Sequence, residues 1–158
     1  MKAKIIIVAD RSGSMDEAGK SDIELNAIRA VRAWCRQNDV ETEIFTWGKT
    51  VEPAVSSFAS CDGCADIEAL EQFCRELPPH SCVLLLSDGV FQEECSAAQA
   101  AAGSYLIPVA VGADHDRESL RSLSGWEASD AGVYDAYEIL DAVRDLMLRR
   151  AMEADPCS

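Results

Sequence analysis

The chain has 158 residues, of which 48% are hydrophobic, and it carries a formal net charge of −14 from 28 acidic and 14 basic residues. This length fits one domain with a proper hydrophobic core. So acidic a surface repels nucleic-acid phosphates and anionic lipid headgroups, which argues against nucleic acid and membrane as partners.

Cellular location is predicted from the start of the chain and from the cysteines. No apolar run approaches the length that crosses a bilayer. The first apolar strand begins within a few residues of Met1, so we expect no signal peptide and a cytoplasmic protein. The odd count of seven cysteines predicts free thiols, because a disulfide framework pairs its cysteines.

Short apolar runs alternate with segments of helical periodicity along the chain. The first strand is predicted over 4–9, and an apparent capping box at 21–24 opens a helix that ends near residue 37. Later elements follow in the order strand 41–47, strand 50–55, helix 66–77, strand 82–86, helix 93–102, strand 105–111, helix 117–123, strand 133–135 and helix 136–152.

This order predicts an α/β fold: a three-layer, doubly wound, mostly parallel sheet with helices on both faces. Gly48 and Lys49 form a tight turn between two strands, which predicts a hairpin and therefore one antiparallel edge strand. We assign residues 1–153 to a single domain and residues 154–158 to a C-terminal tail.

Polar oxygen-bearing side chains follow two of the buried strands. The first strand stops at Asp10, and Ser12 and Ser14 come next at alternate positions, so that in extended backbone all three project to one side. Asp88 follows the strand over 82–86, and parallel strands place their carboxyl ends at one edge of the sheet. Hard oxygen ligands suit Mg²⁺, Mn²⁺ or Ca²⁺, so these four residues predict a metal site.

The same segments resemble the von Willebrand factor A domain family over nearly the whole chain. The segment 10–15 (Asp-Arg-Ser-Gly-Ser-Met) resembles the D-x-S-x-S motif of the family's metal-ion-dependent adhesion site (MIDAS). The segment 86–89 (Leu-Ser-Asp-Gly) resembles the family's second metal-site segment, and 107–112 resembles the strand that follows. The resemblance implies that Ser12 and Ser14 ligate the ion directly, and that Asp10 and Asp88 act largely through water.

The function that the resemblance implies is protein binding without catalysis. The open coordination position of the ion takes a carboxylate from an Asp or Glu of a partner protein. Family analogy places such a domain in a multiprotein complex, often one with an AAA+ ATPase of the MoxR type. We therefore expect a metal-dependent interaction module that uses Mg²⁺, Mn²⁺ or Ca²⁺.

The third metal-site loop departs from the family pattern. The family usually has a ligating threonine before the next helix, where this chain has Ala65, which offers no side-chain oxygen. A shift by one position brings in Cys64, whose thiol is a poor ligand for Mg²⁺, and Asp62 or Asp66 is a substitute that acts through water. One alternative is therefore a metal-free scaffold that binds partners through the same edge.

A second alternative depends on thiols. Cys61 and Cys64 form a C-x-x-C pair, and Cys95 and His115 both follow strand carboxyl ends, so the four residues make a candidate zinc site. A single C-x-x-C is weak evidence by itself.

Enzymatic activity is not expected. A nucleophilic serine needs a histidine partner, and the sequence has only His80, which is predicted at the opposite sheet edge, and His115, which nothing marks as a base. A haloacid dehalogenase-type phosphatase needs a second aspartate two residues after the first, where this chain has Ser12. No phosphate-binding P-loop occurs.

Overall fold

A computed structural model describes residues 2–54, 61, 63–90, 103–113, 115–123 and 133–154 of the chain. The helix predicted over 93–102 lies outside these residues. The observed strands and helices, in chain order, are β1 (Lys4–Asp10), α1 (Lys20–Gln37), β2 (Glu41–Trp47), β3 (Val51–Pro53), α2 (Ile67–Glu76), β4 (Cys82–Ser87), β5 (Tyr105–Ala110), α3 (Arg117–Leu123), β6 (Tyr134–Asp135) and α4 (Ile139–Ala154).

The strands form one six-stranded sheet in the order β3-β2-β1-β4-β5-β6. Every neighbouring pair is parallel except β2 and β3, whose antiparallel hairpin closes one edge. The predicted fold class is therefore confirmed. The parallel strands β1 and β4 are buried along almost their whole length, as their continuous apolar sequences predict.

The two faces of the sheet carry separate apolar clusters, because successive side chains of a strand point to opposite faces. On one face Ile5 and Ile7 of β1 pack in a cluster with residues of α1 and α4. On the other face Ile6 and Val8 pack in a cluster with Trp47 and residues of α2. The helices thus cover both faces of the sheet.

The start of α1 differs from the prediction. The helix begins at Lys20, after Gly19 in a left-handed conformation with φ of 73°, and the capping box predicted over 21–24 is wrong. The Ser21 hydroxyl donates to the carbonyl of Met15 at 3.1 Å, and Glu24 is buried against Arg11. Tertiary contacts thus use both side chains that the local pattern assigns to capping.

Among the helices that the structure describes, none combines the length and the apolar character that crossing a bilayer requires.

Candidate metal centre at the carboxyl edge of the sheet

The site lies where the chain changes direction across the sheet. Strands β1 and β4 are neighbours in the centre, whereas β2 and β3 extend to one side and β5 and β6 to the other. In open α/β sheets a crevice forms outside the carboxyl ends of the strands at such a switch point. Asp10 ends β1 and Asp88 directly follows β4, so the two carboxylates flank this crevice.

Asp10 orients the loop that follows it. Its Oδ1 accepts the backbone N–H of Ser12 at 2.8 Å, and its Oδ2 accepts the hydroxyl of Ser87 at 2.6 Å. Burial raises the pKa of Asp10, the hydrogen bonds from Ser87 and Ser12 oppose that rise, and the nearby charge of Asp88 adds to it. Ser87 belongs to the segment 86–89 that the sequence analysis singled out, but no role was predicted for it there.

The two serines of the motif present their hydroxyls together. Residues Gly13–Asp16 form a short 3₁₀ turn, and the turn brings Ser12 Oγ within 3.3 Å of Ser14 Oγ. Mg²⁺ holds its octahedral ligands at 2.0–2.1 Å, so two adjacent ligand oxygens lie about 3 Å apart. The spacing of the serine hydroxyls therefore fits a divalent ion. Their role as ligands stays a prediction.

Asp88 is held by a lysine that the sequence analysis did not single out. Its Oδ1 accepts the backbone N–H of Val90 at 3.1 Å, and its Oδ2 accepts a hydrogen bond from Lys20 Nζ at 2.9 Å. The Asp88 side chain is fully buried and that of Lys20 is 1% exposed. A lysine is almost never so deeply buried unless it is paired.

A second buried ion pair lies beside the first. Arg11 Nη1 is 3.0 Å from Glu24 Oε1, and Glu24 is completely buried. Burial raises the pKa of Glu24 to about 8, Arg11 opposes the rise, and the charges of Asp10 and Asp88 add to it. Glu24 Oε2 accepts no hydrogen bond within the described part of the chain, which makes the ionised form costly.

The sequence carries a signal for Lys20 and Glu24, the two residues of α1 that the sequence analysis did not assign to the site. The buried face of the helix runs through Ala27, Val31 and Cys35. Extended towards the N-terminus in steps of three and four residues, the same face passes through Glu24 and Lys20. Charged residues on an otherwise apolar helix face must find buried partners, so this pattern indicates a polar centre under the first turn of α1.

In the described part of the third loop, the position of the usual threonine carries no side-chain oxygen. Ala65 is 8% exposed and packs in the apolar cluster on the α2 side of the sheet. Asp66 uses its Oδ1 to cap α2, where it accepts the N–H groups of Glu68 and Ala69 at 2.9 and 3.4 Å. Asp62, the other predicted substitute, lies outside the described residues.

The thiol alternative gains no support. Cys61 Sγ lies 3.3 Å from the Ser21 hydroxyl, Cys64 is exposed, and His115 Nδ1 is 2.6 Å from the carbonyl oxygen of Gly112. Cys95 falls outside the residues that the structure describes. Within those residues no three His, Cys, Asp or Glu side chains group so that they could hold a metal.

Gly89 is expected to be intolerant of substitution. It follows Asp88 with φ of 76°, and a Cβ there would lie 2.4 Å from the carbonyl oxygen of Asp116. Because the left-handed conformation alone costs a non-glycine residue about 1–2 kcal/mol, we expect Gly89→Ala to lower the free energy of unfolding by about 3 kcal/mol in urea titrations. Gly13→Ala is the control, since its Cβ would meet the nearest atom at 3.5 Å. Equal losses in the two variants would contradict the steric argument.

Comparison with known proteins identifies the fold. No protein-family model matches the sequence, and no curated protein matches it. The structure is similar to that of proximal thread matrix protein 1 from the mussel byssus with a zinc-occupied MIDAS motif, at 15% identity and a TM-score of 0.66 over 90% of this chain and 45% of that chain. It is also similar to BatB from Bacteroides thetaiotaomicron, at 14% identity and a TM-score of 0.61 over 92% and 98% of the two chains.

A third similar structure is manganese-loaded TRAP from Plasmodium vivax, at 13% identity and a TM-score of 0.60 over 92% of this chain and 73% of that one. The chain spans about half the length of the mussel protein. At such low identity the likeness shows the fold alone. Two of these three structures carry a metal ion, zinc in one and manganese in the other.

Proposed function

Since the chain has a von Willebrand factor A fold, we propose that it is a protein-interaction module. In this proposal Ser12 and Ser14 bind a divalent cation, and the cation binds a carboxylate of a partner protein. The observation that carries the proposal is the pair of serine hydroxyls 3.3 Å apart, placed at the crevice by the hydrogen bonds of Asp10. A cation held there supplies an electrophilic position for an Asp or Glu side chain of the partner.

The residues around the hydroxyls have separate tasks in this proposal. Ser12 and Ser14 hold the ion directly, and their neutral oxygens leave its positive charge largely uncompensated for the partner. Asp10 keeps the loop in place through its hydrogen bonds to Ser12 and Ser87. Asp88 balances the charge from the β4 side of the crevice.

Charge also favours a cation as the bridge. The chain carries a net charge of −14, so an acidic partner is repelled unless a positive centre lies at the contact. The module acts by binding and carries out no reaction. An AAA+ ATPase of the MoxR type, in a multiprotein complex, is the partner class that the family resemblance suggests.

Thermal and chemical unfolding with and without metal tests the proposal. We expect Mg²⁺ or Mn²⁺ at ten times its dissociation constant to stabilise the wild type by about 1.4 kcal/mol relative to EDTA, since only the folded state forms the site. The double variant Ser12→Ala/Ser14→Ala loses both proposed ligands and is expected to show no metal response. A pull-down of an acidic partner should follow the same pattern.

Ser81→Ala is the matched control, because Ser81 lies at the opposite edge of the sheet and donates to the carbonyl of Pro78. It is expected to respond to metal as the wild type does. If the wild type and the double serine variant respond alike at millimolar metal, the serine hydroxyls are not the ligands and the proposal is wrong.

A further inference from the structure

A positive charge already lies inside the candidate centre. Lys20 Nζ is 2.9 Å from Asp88 Oδ2, and both side chains are shielded from solvent, with exposed fractions of 1% and 0%. The two residues are 68 positions apart in the chain. Because an isolated ammonium is very costly to bury, the interior must supply it with opposite charge.

The surroundings of Lys20 supply that charge. Asp10 and Asp88 leave adjacent parallel strands at this edge, and Glu24 is one helical turn from Lys20 on the same face of α1. Asp88 thus supplies the opposite charge to Lys20 directly, and Glu24 lies against Arg11 instead. Removing the Lys20 ammonium would leave the buried carboxylate of Asp88 without this counter-charge.

The ammonium also uses an oxygen that a metal ion would need. Oδ1 of Asp88 accepts the N–H of Val90, and Oδ2 accepts the hydrogen bond from Lys20. A divalent ion on the serines draws on Asp88 for charge balance, whether directly or through water. Two cations close to the same carboxylate repel each other strongly where solvent does not screen them.

We propose that Lys20 is the resident cation of this centre: its ammonium holds Asp88 in the metal-free protein, and a divalent ion binds tightly only when that ammonium leaves Asp88. Lys20 therefore sets the metal affinity of the domain. Ala65 acts in the same direction, since its side chain offers no oxygen to compensate. This inference rests on the proposed metal-dependent function and adds the residue that regulates it.

The test compares the wild-type chain with Lys20→Met, which removes the charge and keeps an unbranched side chain. Mn²⁺ binding is measured by electron paramagnetic resonance titration, and the melting temperature is measured in EDTA and in Mn²⁺. We expect Lys20→Met to bind Mn²⁺ at least about tenfold more tightly than the wild type, because a competing charge is gone. We also expect it to melt below the wild type in EDTA and to recover in Mn²⁺.

Lys4→Met is the matched control. Lys4 also forms an ion pair, 2.8 Å from Glu43, but the two side chains are 42% and 47% exposed, and the pair lies at the start of β1, at the opposite edge. This variant is expected to keep the wild-type Mn²⁺ affinity. Its melting temperatures should also match those of the wild type in both buffers, since exposed pairs contribute little.

The possible outcomes separate the two proposals. Equal and measurable Mn²⁺ affinities of the wild type and Lys20→Met would overturn the role of Lys20 and leave the metal site standing. If neither protein binds Mn²⁺, the metal-dependent function fails, and the competition with Lys20 fails with it. If Lys20→Met does not fold in EDTA, Lys20→Gln keeps a hydrogen-bond donor for Asp88 without the charge. If either variant folds only in Mn²⁺, the inference is supported. If neither variant folds in EDTA or in Mn²⁺, the inference is overturned.

Discussion

Replacing Asp10 with alanine is expected to lower the free energy of unfolding by about 2–5 kcal/mol. The carboxylate accepts two buried hydrogen bonds, from the Ser12 N–H at 2.8 Å and from the Ser87 hydroxyl at 2.6 Å. Alanine leaves both donors without this acceptor in a region that excludes water, so the variant pays their desolvation cost. Urea titration followed by circular dichroism measures the loss.

Asp10→Asn separates these hydrogen bonds from the charge. Its amide oxygen can still accept the Ser12 N–H, while its NH₂ group faces Ser87, whose hydroxyl can accept as well as donate. We therefore expect Asp10→Asn to lose less stability than Asp10→Ala but to lose affinity for a divalent cation. Equal stability of Asp10→Ala and the wild type would contradict the role of Asp10 as the residue that orders the loop.

Glu24 is expected to make stability fall as the pH rises. Its pKa lies near 8 in the folded protein against an ordinary value of 4.5, so between these values the folded state keeps a proton that the unfolded state has lost. The free energy of unfolding then declines by at most about 1.4 kcal/mol per pH unit and levels off above pH 8. Over the window from pH 5 to 8 the decline from this group is on the order of 4 kcal/mol.

Glu24→Gln removes this decline because glutamine does not titrate. The slopes of unfolding free energy against pH, measured in urea at pH 5.5, 7 and 8.5, are the quantities to compare. The wild-type slope should be steeper than that of Glu24→Gln. Glu43→Gln is the control, since Glu43 is about half exposed and pairs with the partly exposed Lys4, and it should retain the wild-type slope. Identical slopes in the wild type and Glu24→Gln would show that Glu24 is ionised in the folded protein.

Much of the fold could be predicted from the sequence because its elements carry strong local signals. The predicted bounds 41–47 and 117–123 coincide with β2 and α3, and the continuous apolar runs of β1 and β4 predict their burial on both faces. The turn at Gly48 and Lys49 correctly predicts the antiparallel hairpin. Periodicity and turn chemistry act over a few residues, so one sequence is enough to detect them.

The motif residues could be predicted because they too carry a local sequence signal. Lys20 and Glu24 were not predicted because their partners are distant in the sequence. Asp10, Ser12 and Ser14 are close in sequence, and the parallel sheet brings Asp88 to the same edge. The local pattern at 21–24 suggested a capping box, but Ser21 donates a hydrogen bond to Met15 and Glu24 pairs with Arg11 instead. A local preference worth about 1 kcal/mol yields to the larger cost of leaving a buried charge unpaired.

By itself, the sequence determined the α/β architecture, the edge of the sheet at which we propose that a ligand binds and the absence of a side-chain oxygen at Ala65. Only the tertiary structure decided the charges at that edge. It turned the charged first turn of α1 inward, paired Lys20 with Asp88 and buried Glu24 against Arg11. The physical reason is that hydrophobic periodicity is repeated along the chain, whereas the partner of a buried charge is set by which distant segments the packed sheet brings together.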